Sequence, residues 1–308
     1  MLRTLGLAAI ILLGLSSLAA QAQTQAETRQ RLFQHLEAGR LQDAVSLGER
    51  AVSQWPGDPD IRHWLGLAYF KAGALKPARE QLEQARTLSR KDPGAHFDLA
   101  LVCLSQQDYA AAADELQTVV KLTPSNPLAH IFLGRAYLNS NRSLQAIEEF
   151  KAALRVDPAI RLGHFHLGFA YGSLGRNDEA IAEYKAELQR SGEHPEVVYE
   201  LGHSLLESGK HEEAVTYLQR ASELASQNPD VWYNLGKAQV LAGQAAQAET
   251  SLRKAIELNP KDPSPHYQLA RALEKLGKSE DARNERARFA ELKKAIPATA
   301  GMATARDQ

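Results

Sequence analysis

The 308-residue chain has one cysteine, two methionines and aromatic side chains at only 6% of positions, and its formal net charge is −1. The lone Cys103 excludes an intrachain disulfide, although exported compartments are usually oxidising. Near-balanced charge and the absence of a basic run argue against a nucleic-acid surface. No strand pattern appears, so no glycine-rich phosphate loop follows one. His211, Glu212 and Glu213 open like a zinc-protease helix, but Val215 stands where the second imidazole is required one turn on. Nothing in the spacing of Ser, His and Asp assembles a triad, so no enzyme activity, metal or cofactor is expected.

What the chain does have is repetition. Alanine recurs at Ala44, Ala78, Ala112, Ala146, Ala180, Ala214, Ala248 and Ala282, eight times at an interval of 34 residues. A second small residue recurs in the same register at Gly66, Ala100, Gly134, Gly168, Gly202, Gly236 and Ala270, usually after leucine. Gly39, Gly73, Gly175, Gly209, Gly243 and Gly277, with Asn141 standing in once, mark chain reversals, because a residue leaving a helix often takes the left-handed conformation. Pro59, Pro93, Pro127, Pro195, Pro229 and Pro263 sit at first turns of helices, where the missing N–H costs nothing. Between these marks apolar residues recur every three or four positions, so each unit reads as helix, tight turn, helix, short loop.

The order Leu-Gly-x-x-Tyr, then Ala, then an aromatic or Leu, then Ala and Pro resembles the tetratricopeptide repeat family. It is most complete as Leu133, Gly134, Tyr137, Ala146, Phe150, Ala153 and Pro158, and Trp232 supplies the family's helix-opening tryptophan. The resemblance implies an all-α fold, an α-α superhelix (tetratricopeptide repeat solenoid) of eight helix-turn-helix repeats. Their bounds are 25–58, 59–92, 93–126, 127–160, 161–194, 195–228, 229–262 and 263–296. Arg31 in the first repeat and Arg286 in the last replace apolar positions, as capping units do.

The same resemblance implies a protein or peptide partner and assigns the concave side to the second, fifth, ninth and twelfth positions of each first helix. In repeats two to five this places His63, Leu67, Phe70, Phe97, Leu101, Leu104, Ile131, Arg135, Leu138, Phe165, Phe169 and Gly172 there, with Leu128 and Leu162 extending the strip. In repeats six to eight Tyr199, Tyr233 and Tyr267 stand beside His203, Lys237 and Arg271. The groove thus has an apolar half and a polar half. An apolar or amphipathic peptide segment suits it, oriented by Arg135, Lys237 or Arg271 on a carboxylate. Arg135 has the alternative of pairing with Asp98, and the aromatic residues have the alternative of being family filler partly covered by neighbouring helices. A second function class is envelope assembly or polysaccharide export with the aromatic ladder against sugar, which Leu67, Leu101, Leu104 and Leu138 disfavour.

His96, His130, His164 and His266 share one repeat position with Trp232 and are expected to be satisfied structural histidines rather than metal ligands. Cys103 falls where Tyr137 and Tyr171 stand in later repeats, a site for a buried inert thiol. Residues 1–22 read as a signal peptide, with Arg3, an apolar stretch from Leu5 to Leu18 and Ala20-Gln21-Ala22 as the cleavage site. Cleavage leaves no membrane span and an exported protein, periplasmic or secreted, while an uncleaved segment is an inner-membrane anchor. Residues 297–308 lack periodicity and are expected to form a disordered tail.

Overall fold

A computed structural model describes residues 22–295; the signal segment up to Gln21 and the tail from residue 296 lie outside the described residues. The described chain is helical throughout, with no strand. Helix α1 covers 22–37, and fifteen more follow. The first helices of each pair are α3 (Pro59–Lys71), α5 (Pro93–Ser105), α7 (Pro127–Asn139), α9 (Gly163–Gly172), α11 (Pro195–Glu207), α13 (Pro229–Leu241) and α15 (Ser264–Lys275). The second helices are α2 (Leu41–Gln54), α4 (Leu75–Leu88), α6 (Tyr109–Leu122), α8 (Ser143–Val156), α10 (Asn177–Ser191), α12 (His211–Leu224), α14 (Ala245–Leu258) and α16 (Ser279–Ala295). No helix among the described residues is long and apolar enough to cross a membrane.

Two compact units result, one ending at Pro158 and the other beginning at Ala159. In each, four helix pairs stack in chain order: every even helix packs on its odd partner and on the next odd helix, and successive odd helices touch. The odd helices therefore form one layer and the even helices the other.

Local chemistry sets the starts. Asp58, Asp92, Asn126 and Asn228 each accept a backbone N–H of the first turn with their side chains, and each is followed by proline. Helix α9 lacks both devices, since Ile160 and Arg161 occupy the two places. It accordingly begins later, and Leu162 sits just before it in the left-handed conformation at φ 59°. Leu162 is therefore not on the helical strip where the sequence pattern placed it.

Close packing explains the small residues. A methyl group on Gly134 would lie 2.5 Å from Phe150 Cε1, one on Gly168 2.8 Å from Tyr184 Cε1, and one on Gly236 2.5 Å from Leu252 Cγ. In each case the large residue lies 16 positions later on the even helix and is fully buried. Glycine is thus required so that a ring or leucine can fill the crossing at interior packing density. The first pair exchanges the sizes: Leu32 occupies the glycine slot and Gly48 the leucine slot, and both are buried.

Candidate peptide-binding face

In the first unit, Leu67 and Phe70 on α3, Phe97, Leu101 and Leu104 on α5, and Leu138 on α7 are half-buried. Leu128 is exposed, whereas Ile131 is buried and takes no part in a solvent-facing surface. Arg135 is exposed, with its guanidinium 5.3 Å from the centre of the Phe132 ring. It does not pair with Asp98, because His63 Nε2 lies 2.7 Å from Asp98 Oδ2 and takes that carboxylate.

In the second unit, Phe165 packs 6.0 Å from Tyr184 and 6.4 Å from Phe169, ring to ring, and Phe169 is exposed. Tyr199 stacks on His203 at 6.2 Å, and its hydroxyl accepts a hydrogen bond of 3.0 Å from Asn234 Nδ2. Tyr233 is half-buried, while Tyr267 is exposed with its ring 5.5 Å from Phe289. Lys237 donates to Glu207 at 3.0 Å and Arg271 to Gln268 at 3.0 Å. Of the three cations the sequence offered to a ligand carboxylate, two therefore have partners within the protein.

Among the expected groove residues Leu128, Arg135, Phe169 and Tyr267 are exposed; apart from buried Ile131 the others are half-buried. At three fifth positions a pairing covers the side chain, running 35 residues along the chain to the sixth position of the next odd helix. It joins His63 to Asp98, Phe97 to Phe132 edge-on at 5.6 Å, and Tyr199 to Asn234. From sequence, Asp98 enters only as a partner for Arg135 and the sixth positions are not paired with the fifth, although complementary residues at that spacing are there to find.

The next such pair in the second unit does not match. Repeat symmetry sets Glu200 against Phe165, which has no polar atom to offer. Glu200 is half-buried and forms no hydrogen bond or ion pair among the described residues. Burial, and secondarily the Glu196 carboxylate, push its pKa up to about 7. Tyr184, already pushed up by burial, also feels the Glu200 charge, which places both groups in one neighbourhood.

Comparison with known proteins identifies the repeat. Tetratricopeptide repeat models match residues 103–163, 163–191, 199–263 and 251–284, and a model for anaphase-promoting complex, cyclosome, subunit 3 matches 37–119. The solved structure of MamA from AMB-1 is 31% identical, covering 54% of this chain and 98% of that one with a TM-score of 0.50. The chain belongs to the tetratricopeptide repeat family. YrrB, described as "a TPR protein with an unusual peptide-binding site", is 18% identical over 58% of this chain and 93% of that one, with a TM-score of 0.54. The Cut9–Hcn1 hetero-tetramer of the APC/C is 17% identical over 80% of this chain and 48% of that one, at 0.58. These last two share the fold. No curated protein matches by sequence. Stacked helical repeats of this kind present the extended surface that solenoid proteins use for binding.

Within this tetratricopeptide protein the repeated histidines have a structural task. His96 Nδ1 lies 2.6 Å from Glu115, His130 Nδ1 2.7 Å from Glu149, His164 Nδ1 2.6 Å from Glu183 and His266 Nδ1 2.6 Å from Glu285. The other ring nitrogen of His96 and His130 meets the carbonyl six residues earlier, of Arg90 and Pro124, each at 3.1 Å. Trp232 Nε1 donates to the equivalent carbonyl of Ser226 at 2.9 Å, and Arg62 Nε to that of Pro56 at 2.7 Å. At α5 and α7 one slot thus pins the loop before the odd helix to the following even helix. The glutamates, 19 residues after each histidine, escaped the sequence reading. Cys103 is buried and burial pushes its thiol up to about 11, against a smaller opposite pull from Arg79, which leaves little thiolate for chemistry near neutrality.

Proposed function

We propose that the protein is exported to the cell envelope and there binds an apolar or amphipathic polypeptide segment on its odd-helix face, without catalysis of its own. The observation that carries this reading is the half-buried apolar series Leu67, Phe70, Phe97, Leu101, Leu104 and Leu138 beside the exposed, ion-pair-free Arg135. Such a surface leaves hydrocarbon in water that a partner would cover, and a cation to orient it. The peptide-binding site named for YrrB, on the same fold, supports a polypeptide ligand. Export rests on Arg3, the apolar stretch to Leu18 and the Ala20-Gln21-Ala22 site.

Affinity capture from an envelope extract tests both parts. Native protein should begin at Gln23 by mass spectrometry and should retain a partner that a Leu101→Ser/Leu104→Ser variant loses with its helical circular dichroism intact. Arg135→Glu, at an exposed position, provides a second variant that leaves the buried core untouched and removes only the contact with the Phe132 ring. Capture that survives both changes would place the binding site elsewhere, and an intact Met1 would make the protein membrane-anchored.

A further inference from the structure

We propose that α9 and α11 form a site for one cationic side chain, a lysine or arginine carried by the bound polypeptide, with Glu200 as its counter-ion and aromatic rings beside it. The inference rests on the odd-helix face being the binding face and names the ligand chemistry for the second unit.

The argument starts from the pairing between odd helices. Two pairs of polar residues at the fifth and sixth positions satisfy each other: His63 with Asp98, Tyr199 with Asn234. Where both are aromatic, Phe97 and Phe132 pack. At the equivalent pair the 35-residue register sets Glu200 against Phe165, which offers no polar atom, and the half-buried Glu200 carboxyl makes no hydrogen bond or ion pair among the described residues. The charge that acts on it is another carboxylate, Glu196, one turn earlier on α11. A half-buried carboxylate without a counter-ion costs the free protein stability, and a cation arriving from outside recovers it.

The surroundings suit a long basic side chain. Phe165 and Phe169 lie 6.4 Å apart, Phe169 is exposed, and Tyr199 is the residue preceding Glu200 on α11. Rings of this kind accept the stem of a lysine or arginine by contact and its charge through their faces, while the carboxylate fixes the head. The two cations at this unit's expected groove positions are already engaged, Lys237 with Glu207 and Arg271 with Gln268. A ligand carboxylate at α11 would meet Glu196 and Glu200 and be repelled.

A random-peptide display library panned on the full-length protein and on Glu200→Gln tests the assignment. Peptides recovered on the native protein should be enriched in lysine or arginine, and those recovered on Glu200→Gln should not. Replacing the basic residue of a recovered peptide by norleucine should weaken binding to the native protein about tenfold and leave binding to Glu200→Gln unchanged. Recovered peptides without a basic bias, or with a bias that persists on Glu200→Gln, would overturn the cation site while leaving the peptide-binding reading intact. Recovery of no peptide on either protein would overturn both.

Discussion

At the scale of single residues, Glu200 shows how a binding role and a stability role oppose each other. Its carboxyl, ordinarily near 4.5, is pushed up to about 7 by burial and by Glu196. Between those two values the unfolded chain releases a proton that the folded chain keeps. The protonated group's contribution is therefore complete below pH 4.5 and is lost as pH rises through about 7. Allowing for its partial exposure, the loss amounts to about 1 to 2 kcal/mol. Glu200→Gln, which cannot ionise, should match the native protein at pH 4.5 and exceed its thermal midpoint at pH 8. Parallel pH profiles for the two proteins would show that Glu200 titrates normally. Little of this was legible in the sequence. A glutamate one place past a tyrosine on an amphipathic helix looks solvated, and only the 35-residue register, which sets Phe165 against it, points to the lack of a polar partner there. Ile131 failed for a related reason: periodicity gives the direction in which a side chain points, but not how far the next helix covers it.

At the scale of helices, the parts that were legible are those in which one residue type is sterically compelled. Glycine at 66, 134, 168, 202 and 236 is forced by the large residue 16 positions later, and both members of each pair stand in the sequence. Helix starts were legible where Asp or Asn precedes proline, and illegible at α9, where neither is present. The reversals were legible where glycine or asparagine marks them, which left one unmarked. Gln107 closes its helix pair at φ 60°, in the same left-handed turn that glycine supplies elsewhere, and its side chain is exposed. An ordinary residue there costs about 1 to 2 kcal/mol, of which glycine's greater unfolded-state freedom takes back about half. Gln107→Gly should therefore stabilise the protein by about 0.5 to 1 kcal/mol, read as a higher urea midpoint at unchanged slope. A lower midpoint would mean that the turn is not the constraint it looks.

At the scale of the whole chain, the repeat makes stability local. Within each unit a helix touches its neighbours in sequence and odd helices also touch the adjacent odd helix, so among the described residues the main helix contacts join only neighbouring repeats. Arrays of this kind behave as sums of repeat and nearest-neighbour energies, and local damage should stay local. Gly134→Ala is a suitable lesion. Its new methyl group would meet Phe150 Cε1 at 2.5 Å and Cδ1 at 2.8 Å, and Phe150 is fully buried with no room to swing. Overpacking costs about 1 to 3 kcal/mol, against which removing a helical glycine returns about 1 kcal/mol, so the net change is a loss. Hydrogen exchange should then quicken in α7 and α8 and, more weakly, in α5 and α6, while α13 to α16 keep their protection. Gly236→Ala, whose methyl group would lie 2.5 Å from Leu252 Cγ, should quicken α13 and α14 and spare α3 to α6. Uniform loss of protection across all the helices from either lesion would show one cooperative unit in place of a chain of neighbours.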